Sequence, residues 1–216
     1  MSEKENIETS LIKSIAQSEL KNIATDLGEV ALDSLSEDGL VKDIPVIGTI
    51  AKVYSVGATV KGKIFERKII KFLINLEEIS EEKRVDFVRR ITTDDKHSQK
   101  VGEHLIVLLD RMDDMNKPAY LAKLLAAYIE NNIDYEMFLR LSSIIDKAFL
   151  PDLGKLHNYK KHQYGGWITT SLENLGLVYL SVVDGGSYDE DGNPTGGNRY
   201  YISDLGELML SIIQEY

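Results

Sequence analysis

The side chains with the most chemical reach in this chain are four histidines and a surplus of carboxylates; cysteine is absent. Without cysteine there are no disulfides, zinc–thiolate sites or thiol nucleophiles, a composition that suits a reducing compartment. His97 and His104 stand seven residues apart, with Asp94 and Asp110 outside them. On a helix that spacing is two turns, about 10 Å of axial rise, too far for one metal ion to take both without other ligands. A solvated helix face accounts for the pair. His157 and His162 flank a basic run that offers them no carboxylate partner. There is no nucleophile elbow, no phosphate-binding glycine loop and no paired-histidine zinc signature. Asp189-Glu190-Asp191-Gly192-Asn193 has the composition of a calcium loop without its acid spacing or closing glutamate, and reads as an acidic loop tip. A non-enzymatic protein is expected, with no catalytic, cofactor or metal residues and no small-molecule substrate. The chemistry left is binding.

Charge constrains what is bound. The chain of 216 residues carries a net charge of −10, distributed unevenly: residues 1–43 are net −6, 44–74 net +5, 75–150 net −4 and 151–216 net −5. An acidic surface repels phosphate backbones and anionic lipid, so contact with either must be local. The single basic block coincides with the most apolar segment. From Ile44 to Val60 the only charged side chain is Lys52, and Gly48, Ala51, Ser55, Ala58 and Gly62 recur at steps of three and four. On a helix these small residues make a continuous seam that lets a second helix approach closely. One reading is a core helix packed tightly on a neighbour. The other is a membrane-active helix whose interfacial anchors are Lys61, Lys63, Arg67, Lys68 and Lys71, although the run falls short of the roughly 20 residues of a full span.

These segments must be positioned by helices. Apolar residues at helical spacing run from Ile7 to about Leu35, before a break at Ser36-Glu37-Asp38-Gly39. Ile64 to Ile79 continues in the same manner. Ser80, Asp94 or Asp95, Asn116 with Pro118, and Asp134 then read as successive helix starts, and Asn131-Asn132 as a stop. The helix begun at Asp134 carries Phe138, Leu141, Ile144, Ile145 and Phe149 on its inner face. Residues 1–132 are expected to form a helical bundle.

After Pro151 the pattern changes. One short helix is expected over Asp152–Tyr159, a break at Gly165-Gly166, and a second helix over Trp167–Asn174 stopped by Gly176. Leu177–Val183 and Arg199–Ile202 read as two strands flanking a glycine-rich loop, and Ser203 as the cap of a final helix. Leu172-Glu173-Asn174-Leu175-Gly176-Leu177-Val178 resembles the end of a winged-helix recognition helix turning into a wing strand. Tyr201-Ile202-Ser203-Asp204-Leu205-Gly206-Glu207-Leu208 is similar to the strand-to-helix exit of many bacterial members of that superfamily. The resemblance implies a mainly α chain in which the helical bundle is followed, over residues 133–216, by a winged-helix-like unit with a two-stranded hairpin wing.

For such a unit to bind DNA, the second helix and the wing should present cations. The available groups are Lys155, Lys160, Lys161, Thr169, Thr170 and Arg199, against an acidic wing of Asp184, Asp189, Glu190 and Asp191. Carboxylates beside phosphates weaken binding, so a protein partner or a second copy of the chain is favoured over nucleic acid. The polar, acidic first ten residues do not read as a secretory signal. A cytoplasmic, regulatory interaction protein is expected, with membrane association as the alternative offered by the seam.

Overall fold

A computed structural model describes residues 6–17, 44–54, 60–161, 163–183 and 197–215. The chain is mainly helical with a small three-stranded antiparallel sheet, and it divides into two compact units, Met1–Phe138 and Leu139–Tyr216.

The first unit contains α1 (Ile7–Ile15), α2 (Pro45–Tyr54), α3 (Val60–Asn75) with a 3-10 turn at Leu76–Glu78, α4 (Glu81–Ile91), α5 (Asp95–Arg111) and α6 (Lys117–Ile129), and it ends in the opening turn of α7 (Tyr135–Lys147). Local capping explains most of the starts. The Thr9 N–H donates to Asn6 Oδ1 at 2.9 Å, those of Lys96 and His97 to Asp94 Oδ1 at 3.0 and 3.3 Å, and that of Met137 to Asp134 Oδ1 at 2.8 Å. Asn131, at φ 61°, takes the left-handed conformation that ends α6.

Helix α1 packs against α2, α4 and α5, burying Leu11, Ile12 and Ile15. Its small hydroxyls seat α2. Ser10 Oγ lies 2.7 Å from Thr49 Oγ1, and Ser14 Oγ accepts the Val46 N–H at 3.1 Å. Helix α3 packs on α5 and α6 through Phe65, Ile69, Phe72 and Leu73. The described part of the first helix stops at Ile15, with Ala16 as its C-cap; the remainder of the expected helix, and the break at residues 36–39, lie outside the described residues.

In the second unit, the rest of α7 is followed by α8 (Leu150–Leu153), a 3-10 turn (Leu156–Lys160), β1 (Gln163–Tyr164), α9 (Trp167–Asn174), β2 (Val178–Val183), β3 (Gly197–Ile202) and α10 (Asp204–Glu215). The sheet order is β1-β3-β2, with Tyr164 and Ser181 opposite Arg199, and Tyr179 opposite Tyr201. Gly176, at φ 74°, ends α9, and the Gly206 N–H donates to Ser203 Oγ at 3.0 Å to cap α10. Buried side chains of this unit include Leu153, Leu156, Tyr159, Leu172, Leu177 and Met209.

Four expectations are corrected. The sheet expected to be a two-stranded hairpin has a third strand, β1, which pairs with the edge of β3 left open by β2. The single helix expected over 152–159 is broken into α8 and a 3-10 turn around Gly154. Phe149, expected inside, is 62% exposed, because α7 has already ended and the chain turns there into α8. The division between units falls after Phe138 and not at 132/133, because the first turn of α7 is packed into the first unit by an aromatic cluster. Tyr128 stacks on Phe138 at 5.6 Å between centroids, and the His97 ring meets Tyr135 edge-on at 4.7 Å. The loop expected over 184–198 falls outside the described residues up to 196.

Candidate interaction surface

The second unit presents an aromatic and basic corner where the 3-10 turn, β1 and the start of α9 meet. A buried hydroxyl relay builds it. Tyr159 Oη and Thr169 Oγ1 are 2.8 Å apart, and the Thr169 hydroxyl donates to the Tyr164 carbonyl at 3.2 Å. Because the one Thr169 proton goes to that carbonyl, Tyr159 is the donor in the first bond. The relay ties the turn, the strand and the helix together at one point. Gly165 passes under the Tyr200 ring, which a Cβ would meet at 3.2 Å.

From this rigid base two aromatic side chains project. Trp167, the only tryptophan of the chain, opens α9 and is 76% exposed; Tyr164 is 64% exposed. Lys155 Nζ stands 5.9 Å from the centroid of the Trp167 ring, within cation–π range. Lys155, Lys160 and Lys161 are all exposed, and no Asp or Glu occurs between Leu153 and Leu172. Asp152, just before this stretch, is withdrawn to 4% exposure. Beside the corner the sheet offers Tyr164, Arg199 and Ser181 in one cross-strand row, with Tyr179 and Tyr201 stacked at 6.1 Å in the next.

The groups expected to face a nucleic acid are therefore sorted by burial. Lys155, Lys160, Lys161 and Thr170 are exposed. Thr169 is 3% exposed, and its hydroxyl is used in the relay, so it is not available for contact. Arg199 is half-buried in the central strand, opposite Tyr164. In the sequence Trp167 reads only as the start of a helix, while Tyr159 and Tyr164 read as aromatics interleaved with the basic cluster of Lys155, Lys160, Lys161 and His162. The available signal was a lone tryptophan directly after two glycines.

The other expected residues fall in the first unit. Of the seam, Gly48 and Gly62 are half-buried, Ser55 and Ala58 lie outside the described residues, and so does the Ala51 side chain. Around Gly48, α2 buries Val46, Ile47, Thr49 and Ile50. Of the anchor candidates, Lys61 and Lys63 are exposed and Arg67 is half-buried. Lys68 and Lys71 are instead structural ties from α3 to the α5–α6 connection. Lys68 is 6% exposed and donates to the Asp110 carbonyl at 3.0 Å, while Lys71 donates to Asn116 Oδ1 at 2.7 Å. Burial lowers the Lys68 pKa, and Asp110 and Asp113 oppose that shift. A buried ammonium must find such partners, which draws the side chain inward. Among the described residues, no helix is long and apolar enough to cross a membrane.

His97 and His104 do not form a solvated face. His97 Nε2 lies 3.0 Å from Tyr128 Oη, and the His104 ring meets Phe138 edge-on at 5.7 Å. Burial raises the Tyr128 and Tyr135 pKa values. His162 lies outside the described residues, and His157 Nδ1 is 3.0 Å from the Gly154 carbonyl. No group of three or more His, Asp or Glu among the described residues could hold a metal ion. A cleft between α4 and the end of α6 is lined by Phe87, Arg90, Ile129 and Asn131. Its cations are engaged: Lys83 pairs with Glu130 at 2.6 Å, and Arg90 lies 5.6 Å from the Phe87 ring centroid.

No family model, curated protein or solved structure matches the chain.

Proposed function

We propose that this chain is a non-catalytic interaction protein, and that its second unit is a winged-helix-like module that docks a protein partner at the Trp167 corner. The fold assignment rests on the residue resemblance around Leu172–Val178 and Tyr201–Leu208, together with α9 leading into the antiparallel pair β2 and β3. The functional assignment rests on one observation: the sole tryptophan stands 76% exposed on a corner braced from within. An aromatic ring exposed on such a corner is suited to being covered, because its burial returns a large apolar area and fixes only two side-chain torsions. Tryptophan and tyrosine dominate binding hot spots, where truncation costs about 2–4 kcal/mol.

DNA reading is supported less well. The outward polar groups of α9 are Thr170, Glu173 and Asn174, with no cation among them, whereas base and phosphate contacts rest on Arg and Lys. The apolar side of α10 is spent within the unit, where Met209, Leu210 and Ile212 are buried, so the final helix offers less to a second copy than Trp167 offers to another protein.

The test is a displayed peptide library selected on the full chain and counter-selected on Trp167→Ala. The side chain is exposed, so the variant should keep the circular dichroism and melting midpoint of the parent. Enrichment of clones that bind the parent and lose the variant is the expected result. Absence of enrichment, or equal retention on both proteins, refutes the proposal.

A further inference from the structure

We infer that the segment docking at the Trp167 corner is acidic, an extended peptide that places an apolar side chain on Trp167 and a carboxylate against Lys155; this inference rests on the docking reading above. Charge complementarity supports this assignment, although residues 151–216 are acidic as a whole, at net −5. The protein is net −10, yet Lys155, Lys160 and Lys161 are exposed along a stretch that has no acid from Leu153 to Leu172. Asp152, the carboxylate preceding that stretch, is 4% exposed and turned away from solvent. The corner is thus a local cationic site with an aromatic floor.

Geometry limits the ligand further. Lys155 Nζ and the Trp167 ring centroid are 5.9 Å apart. In an extended peptide, side chains two residues apart point to the same face about 6.6 Å from each other. An apolar residue, any residue, then Asp or Glu fits that pair of points. A nucleic-acid strand fits less well. Long-range repulsion from a net −10 protein acts on every phosphate within a Debye length, about 10 Å at ordinary salt. A short peptide with a few carboxylates meets the same repulsion but carries fewer charges than a strand with one phosphate per nucleotide, so contact with the nearest lysines offsets more of it. Trp167 also already carries a cation over its ring, which leaves less of the ring for base stacking than for the edge of an aliphatic side chain.

Because Trp167 is the only tryptophan, the emission of the whole chain reports on this corner. Three probes are titrated into the full-length protein: a synthetic peptide with leucine two residues from glutamate and further glutamates beyond it, the same peptide with every glutamate replaced by glutamine, and an oligothymidylate of similar length. The expected result is a saturable blue shift and reduced iodide quenching with the acidic peptide, weakening as salt rises. The glutamine peptide should bind roughly tenfold more weakly or worse, and so should the acidic peptide to the triple variant Lys155→Glu, Lys160→Glu, Lys161→Glu. Circular dichroism checks that this variant is folded, and Tyr164→Ala, which retains the reporter, should also weaken binding. Equal affinity for the two peptides overturns the acidic assignment and leaves protein docking standing. Saturable binding of oligothymidylate alone overturns both. No response to any probe overturns the acidic assignment, while the docking reading is decided by the display selection.

Discussion

Replacing Gly206 by alanine should destabilise the second unit by about 1–3 kcal/mol, the overpacking cost plus a weakened hydrogen bond less the helix preference of alanine. Gly206 is buried in the first turn of α10, against the start of β2. A Cβ there would stand 2.1 Å from the Leu177 carbonyl oxygen and 2.7 Å from Ile202 Cγ1. Ordinary contact is about 3.5 Å, so the helix or the strand must retreat by roughly 1.4 Å at the carbonyl. The Ile202 methylene has some freedom. The carbonyl has little, because it accepts the Ser203 N–H at 3.0 Å. Retreat stretches that bond, and Ser203 also anchors the turn through its hydroxyl, which donates to the Gly176 carbonyl at 2.6 Å. Overpacking of this kind costs about 1–3 kcal/mol, and a weakened hydrogen bond adds about 1 kcal/mol. Against this, alanine in a helix gains at most about 1 kcal/mol over glycine. The assay is equilibrium urea denaturation followed by Trp167 emission, which reports on the second unit. A variant within about 0.5 kcal/mol of the parent, the ordinary scatter of surface substitutions, would refute the claim that the close approach demands glycine.

The other expectations are briefer. Arg84 is buried; its Nη1 donates to the carbonyls of Ile15 and Gln17, both at 3.0 Å, and its Nη2 lies 3.5 Å from Glu77. Arg84→Ala uncaps the end of α1 and should cost about 3 kcal/mol, read by chemical denaturation of the first unit. Tyr159→Phe removes the proton donated to Thr169 and should cost about 1 kcal/mol, with faster amide exchange at Tyr164 and Trp167. Asp113 has its pKa lowered, chiefly by the hydrogen bond from Lys117 at 2.7 Å. A depressed folded pKa means this contribution is present above the ordinary carboxylate pKa and is lost as pH falls through the folded value. Asp113 is solvent-exposed, so Asp113→Asn should remove under about 1 kcal/mol at neutral pH and flatten the acid limb of the stability profile by that amount.

Elements whose signals are local were legible in the residues. Asp94, Asp134 and Ser203 cap the helices that follow them because each bond spans only two or three positions. The helix Trp167–Asn174 and its stop at Gly176 are legible with their observed bounds, since the glycines on each side act on their own backbone. The strand β1 was not legible. Two residues carry no periodicity, and they become a strand only because β3, more than thirty positions later, offers an open edge. The burial of Lys68 and Thr169 is not legible for a similar reason. A lysine in a basic run and a threonine on an amphipathic helix look outward until a carbonyl or a tyrosine hydroxyl from a distant element meets them.

The sequence by itself determined a mainly helical chain, an acidic surface with one basic block, a carboxylate-free stretch from Leu153 to Leu172, and the presence of a single tryptophan. Those follow from composition and short-range preference, which need no partner to act. Tertiary structure alone decided that Trp167 faces water, that Lys155 stands over its ring, that Asp152 is withdrawn, and that Thr169 is spent inside. Exposure is a relation between one residue and everything packed around it. The order of residues along a chain does not state that relation until the chain has closed on itself.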